Sequence, residues 1–130
     1  MGAYRRFAEG EPEHMHVSKV RDLSDAFLSY SSLSGWEKAG LAPHMQNLMS
    51  SCWRTRAFGD FWNYMLVAEG AVDIGVEPEL ALHDMAALVP IVVEAGGTFT
   101  NLSGTPGPWG PGGLATNGLL ENAVLDVLAE

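Results

Sequence analysis

Leu41, Met45, Leu48, Met49 and Cys52 recur at three- and four-residue steps, which predicts an amphipathic helix over Leu41–Cys52. Phe61–Glu69 is apolar almost all round. Opened by Gly59-Asp60 and closed by Gly70, it predicts a deeply buried helix. His83–Ala95 predicts a second apolar helix, with Asp84 at its start and Gly96-Gly97 at its end. Pro90 inside it should kink it or shift its effective start. Short apolar runs at Val17–Val20, Ala26–Tyr30, Trp53–Phe58, Ala71–Val76, Thr98–Leu102 and Leu114–Asn117 predict strands. Leu119–Leu128 predicts a last helix, residues 7–16 a polar loop, and Ser103–Gly113 a Gly/Pro loop. Strands and helices alternate, so the expected class is α/β: a mixed β-sheet with crossover helices covering it.

Composition supports one packed unit. In 130 residues the apolar fraction is 47% and the charged fraction 18%, enough for a core and unlike a disordered chain. The apolar stretches fall short of the roughly 20 residues a membrane helix needs. No apolar segment follows Arg5-Arg6, so no signal peptide is expected. Cys52 is the only cysteine, which excludes an internal disulfide and a cysteine-based zinc cluster, and a reducing cytoplasm is the expected location.

Charge changes the picture more. The net charge is -9, which argues against nucleic acid or an anionic membrane surface as partner. All seven basic residues lie at or before Arg56, and residues 57–130 carry ten carboxylates without a Lys or Arg. Those carboxylates form either a solvated acidic surface or, in part, a site facing a metal ion. An acidic site handling an anionic substrate needs a cation to reverse its sign.

Three groups can carry chemistry. In Arg56-Ala-Phe-Gly59-Asp60 a strand turns into a helix through glycine, and such a turn leaves backbone amides available to a ligand. Asp60 either caps that helix or binds a polar or cationic group. Glu77-Pro-Glu79 follows a strand, where a carboxylate is well placed for a cleft. Asp84 at a helix start has an easy explanation as an N-cap, and His83 reads as a packed or hydrogen-bonded residue rather than a ligand. Trp62, Tyr64 and Met65 read as core. His14 and His16 lack a third partner, so no metal site is expected there.

In order and spacing these segments resemble the C-terminal half of the inositol monophosphatase superfamily of magnesium-dependent phosphatases. The matching features are Arg56 three residues before Gly59, Glu77 seven before Asp84, Asp84-Met-Ala-Ala, Glu94-Ala-Gly-Gly97 and Ala115-Thr-Asn117. Gly59-Asp-Phe-Trp and Val67-Ala-Glu-Gly-Ala-Val-Asp73 look most like the histidinol-phosphatase branch, where an acid after the glycine would suit the amine of histidinol. The resemblance implies half of a layered α/β/α/β/α sugar-phosphatase fold and a Mg²⁺-dependent hydrolysis of a small phosphate monoester. It makes Asp84 a metal ligand, and Arg56, Gly59, Asp60 and Glu77 substrate-binding positions.

Two features depart from the family pattern. His83 stands where the family has Trp. The family's main metal motif, Asp-Pro-Ile/Leu-Asp-Gly-Thr, has no match, since Asp22-Leu-Ser-Asp25 is followed by Ala-Phe. The expectation is therefore a single substrate-pocket domain over 1–130, lacking the N-terminal metal-motif domain and inactive alone. It should expose an apolar face that self-associates or pairs with the missing half. The alternatives are an inositol or sugar phosphate substrate, or a non-catalytic self-associating module.

Overall fold

Val72, Ile74, Val76, Leu114 and Ala115 are all buried, an apolar run that a strand sustains only when both faces of its sheet are covered. The computed structural model describes residues 2–130. It opens with a hairpin of β1 (Ala3–Arg5) and β2 (Glu13–Met15). A short 3₁₀ turn at Leu23–Asp25 leads to β3 (Phe27–Ser29), α1 (Leu33–Lys38), α2 (Ala42–Ser51) and β4 (Arg54–Arg56). Then come α3 (Trp62–Glu69), β5 (Ile74–Glu77), α4 (Leu82–Glu94), β6 (Thr98–Thr100), β7 (Gly113–Thr116) and α5 (Glu121–Ala129).

The main sheet has the order β4-β3-β5-β7-β6. β3 runs parallel to β4 and β5, and β7 runs antiparallel to β5 and β6, so the sheet is mixed as expected. One face packs Leu28, Ile74, Val76 and Leu114 against Trp36, Met45, Leu48 and Val124 of α1, α2 and α5. On the other, Phe99 and Ala115 meet Tyr64, Val67, Met85, Leu88 and Val92 of α3 and α4. The hairpin joins this second cluster through Ala3 and Met15.

Several expectations change in detail. The loop expected over 7–16 ends in a strand: Glu13 and His14 face water while Met15 alone turns inward, so the polar pattern hides it. Val17–Val20 joins no sheet. Its polar backbone is met instead by Ala95, which accepts from Val17 N–H at 3.0 Å, and by Asn117, whose Nδ2 donates to Val20 O at 2.7 Å. Helix α1 was not expected; only Trp36 of its six residues is buried, and Ser32 caps it by accepting from Gly35 N–H at 3.4 Å. The last strand and helix begin within two residues of their predicted starts. Helix α4 continues through Pro90 without interruption.

The deep burial expected for the whole of Phe61–Glu69 holds only for one side. Asn63, Tyr64, Val67 and Ala68 are buried, whereas Phe61 and Trp62 are exposed. Gly70 ends α3 with a left-handed φ of 81°, and a Cβ there would meet His16 O at 2.7 Å, so glycine is required twice over.

Leu82, Ala86, Pro90 and Val93 recur along α4 at helical spacing and are all exposed. With Phe61 and Trp62 they leave apolar surface uncovered on the α3–α4 side, the kind of patch that marks an interaction site. The chain is expected to sediment above the monomer mass as concentration rises and to bind an apolar dye. A clean monomer at high concentration without dye binding would count against this.

Candidate active site

Because β3, β4 and β5 are parallel, their C-terminal ends lie at the same edge of the sheet. That edge receives Ser29–Ser31, the Arg56–Gly59 segment and Glu77, and in α/β sheets this is where ligand crevices form. A cleft of about 700 Å³ opens there, its lining including Asp60, Phe61, Glu77, Glu79, Asp84 and Gly112. Four carboxylates thus border one space, and none of the described lining residues is Lys or Arg. Such a site suits a cation, or an anion brought in together with one.

Glu77 is the buried member of the set, at 8% exposure. Its Oε1 accepts from Ser31 Oγ at 2.7 Å and from Asn63 Nδ2 at 3.2 Å. Burial pushes its carboxyl above the usual carboxylate range. The hydrogen bonds of Ser31 and Asn63 pull it back, and the charge of Asp60 pushes it up again. Tyr64 lies against the same carboxylate. Its hydroxyl is buried without a hydrogen bond of normal geometry, and burial followed by the charge of Glu77 holds it well above the ordinary phenol value.

The strand-to-helix turn is built from two left-handed residues, Gly59 at φ 85° and Asp60 at φ 48°. Space is open around Gly59, so only its dihedral calls for glycine. Asp60 is one of the few residue types that tolerate this region. Two amides of the turn itself are already paired. Gly59 N–H donates to Tyr30 O at 3.2 Å and to Asn63 Oδ1 at 3.1 Å, and Asp60 N–H donates to Ser31 Oγ at 3.1 Å. Asp60 does not cap α3 either: Phe61 occupies the cap position and no side chain bonds there. The Asp60 carboxylate lines the cleft instead.

Asp84 also departs from the capping explanation. Ala81 holds the cap position of α4, and Asp84 sits in the first turn with its side chain 56% exposed at the cleft. His83 is not packed; its side chain is 86% exposed, with Nε2 3.5 Å from Asp84 Oδ1. Arg56 is not brought to the cleft. It is exposed on β4, and its Nη1 donates to Thr55 O at 2.7 Å. Among the described residues no three of His, Cys, Asp or Glu assemble into a set able to hold a metal ion. Asp84 therefore has the chemistry of a single ligand and does not by itself make a metal centre.

Ser31 and Asn63 were missed by the sequence reading. Asn63 had a signal: it is the one polar residue inside Phe61–Ala68, and a buried amide in an apolar helix requires partners. Other polar burial supports the frame. Asp73 accepts from Phe27 N–H at 2.7 Å and from Ser18, while Asn117 Oδ1 accepts from the amides of Leu119 and Leu120. The Cys52 thiol is pushed up to about 11 by burial and by the charge of Asp73, so it is a poor nucleophile. Among the described residues no helix is long and apolar enough to cross a membrane.

The chain is thus a mixed sheet between two helical layers, with an acidic cleft at the ends of its parallel strands. Residues 2–129 match the inositol monophosphatase family, and the chain belongs to that family. Among curated relatives it is 52% identical over 127 residues to a histidinol-phosphatase of Streptomyces coelicolor, covering 98% of this chain and 48% of the relative. A histidinol-phosphatase of Mycobacterium tuberculosis is 49% identical over 124 residues, covering 95% and 48%. An inositol monophosphatase structure from Zymomonas mobilis superposes with a TM-score of 0.83 at 30% identity, over 91% of this chain and 47% of that one. The chain spans about half the length of the curated relatives it matches.

Proposed function

We propose that this chain is the C-terminal, substrate-pocket half of a Mg²⁺-dependent histidinol-phosphate phosphatase of histidine biosynthesis, acting in the cytoplasm. The observation that carries the reading is the pair of carboxylates, Asp60 and Glu77, sharing one cleft whose described lining residues include no Lys or Arg. A protonated amine complements that pair, and the roughly 50% identity to histidinol-phosphatases supports the same substrate. An uncharged polyol such as inositol would leave it uncompensated.

In this reading Asp60 and Glu77 receive the amine, the Gly59 turn sets the direction of Asp60, and Asp84 contributes one Mg²⁺ ligand. Bound Mg²⁺ supplies charge neutralisation of the phosphate and acidification of a water. Its other ligands belong to a segment beyond this chain, and the exposed stripe on α4 is the surface for that segment or for a second copy. Arg56 is not among the residues that line the cleft, so a role for it belongs to the assembled protein.

A substrate panel on the full-length protein tests this. Histidinol phosphate should be hydrolysed in preference to inositol and sugar phosphates, and an equal rate on all three would defeat the assignment. The purified 130-residue chain should show negligible phosphatase activity; robust Mg²⁺-dependent hydrolysis by it would overturn the half-enzyme reading. An in-frame Asp-Pro-Ile-Asp-Gly-Thr-like stretch in the coding sequence upstream of Met1 would support it.

Asp60→Ala in the full-length protein should cost histidinol phosphate about ten- to a hundred-fold in kcat/KM, the worth of a charge-assisted hydrogen bond, and cost a neutral phosphate ester far less. Since Asp60 caps nothing, equal losses on both would assign it to shaping the left-handed turn alone.

A further inference from the structure

We propose that Ser31 and Asn63 are the positioning residues of this cleft. Each ties Glu77 Oε1 to one amide of the Gly59–Asp60 turn, so that Glu77 and Asp60 face a cation as one fixed pair. The identity of the cation rests on the histidinol reading above; the clamp itself does not.

The hydrogen bonds form two parallel bridges. Asp60 N–H donates to Ser31 Oγ at 3.1 Å, and Ser31 Oγ donates to Glu77 Oε1 at 2.7 Å. Gly59 N–H donates to Asn63 Oδ1 at 3.1 Å, and Asn63 Nδ2 donates to Glu77 Oε1 at 3.2 Å. The backbone donor fixes which way the Asn63 amide points, because a flipped amide would set NH₂ against N–H. Ser29, fully buried, donates to the same Asn63 Oδ1 and fills its remaining acceptor site. The hydroxyl of Ser31 has one proton. With an amide donating to its oxygen, that proton is directed at the carboxylate.

The bridges link three strand ends. Ser31 follows β3, Glu77 ends β5, and Gly59-Asp60 connects β4 to α3. Both bridges end on Oε1, and the buried Tyr64 hydroxyl lies against the same carboxylate. One oxygen of Glu77 is thus spent on position, which fixes how the carboxylate is presented to the cleft. Holding Asp60 at positive φ is part of the same device, because its amide is pinned by Ser31 and that of the preceding residue by Asn63. An anchor for α3 alone would need no bond to a carboxylate lining the cleft.

The test uses the 130-residue chain, histidinol as probe, and NMR. In the unaltered chain histidinol should bind saturably and shift the Gly59, Asp60 and Glu77 signals. Ser31→Ala should weaken that binding about ten-fold, as expected for one hydrogen bond to a charged group. It should also move the Glu77 carboxyl titration upward and speed hydrogen exchange at the Asp60 amide, with Ser31→Thr restoring all three. Asn63→Ala should weaken binding at least as much and act on the Gly59 amide; if it does not fold, Ser31→Ala decides. An unmoved Glu77 titration together with unchanged Asp60 exchange in Ser31→Ala would overturn the proposal, because a merely structural serine would change only the melting temperature. If the unaltered chain does not bind histidinol, the substrate reading fails, and the Glu77 titration and amide exchange alone decide the clamp.

Discussion

Asp84→Asn is expected to leave the stability of the 130-residue chain nearly unchanged while removing turnover from the full-length enzyme. Asp84 stands in the first turn of α4, exposed, and its one contact of note is the even more exposed His83. A carboxylate near a helix N-terminus gains only ~0.3–1 kcal/mol from the dipole, and solvent screening reduces that here. Replacing a Mg²⁺ ligand by a neutral amide acts on the reaction itself. Charge stabilisation at a phosphoryl group is worth several kcal/mol, so turnover should fall by about a hundred-fold or more. Thermal melts of the chain and Mg²⁺-dependent kcat of the full-length protein check the two halves. A variant that melts normally and turns over normally would remove Asp84 from the metal site.

Glu77→Gln should separate stability from recognition in the opposite direction. Burial holds the Glu77 carboxyl above its usual range, so the folded state binds that proton more tightly than the unfolded chain does. The resulting stability is fully present below the unfolded value and is lost as pH rises through the folded one. At neutral pH the ionised side chain is therefore a cost to the fold. Glutamine keeps an oxygen for Ser31 and Asn63 and carries no charge. The variant should melt at or above the temperature of the parent at pH 7, and the gap should close as pH falls toward the carboxylate range. Affinity for histidinol should drop about ten- to a hundred-fold. A variant less stable than the parent at pH 7 and equal to it in acid would mean that the ionised form is the favoured one.

Much of the fold was legible because burial on both sides of a strand leaves an uninterrupted apolar run. Ile74–Glu77 and Gly113–Thr116 could be located from such runs, and α4 from its length between Asp84 and Gly96-Gly97. The hairpin and α1 were not legible. Each buries one or two side chains, Ala3 and Met15 or Trp36, too few for a period to emerge. The exposure of Phe61 and Trp62 was misread for a related reason: an apolar residue looks the same in sequence whether it faces the core or an uncovered surface.

The site divides along a similar line. A turn, a strand end and a helix start are local features written in consecutive residues and singled out Asp60, Glu77 and Asp84, while the resemblance to a known family gave them their site roles. Their convergence on one cleft follows from β3, β4 and β5 being parallel, which is a property of the sheet and not of any segment. Capping was the natural local explanation for Asp60 and Asp84. It fails because Phe61 and Ala81 occupy the cap positions, and the carboxylates turn to the cleft. Ser31 and Asn63 lie 46 and 14 residues from Glu77 in sequence, and no spacing rule connects them. The sequence by itself determined the class, the larger elements and the acidic side chains, since these depend on local periodicity and residue chemistry. Only the tertiary structure decided that Arg56 lies outside the lining of the cleft and that Ser31 and Asn63 both hold the Oε1 of Glu77. Those facts depend on distances between segments that meet only when the sheet closes.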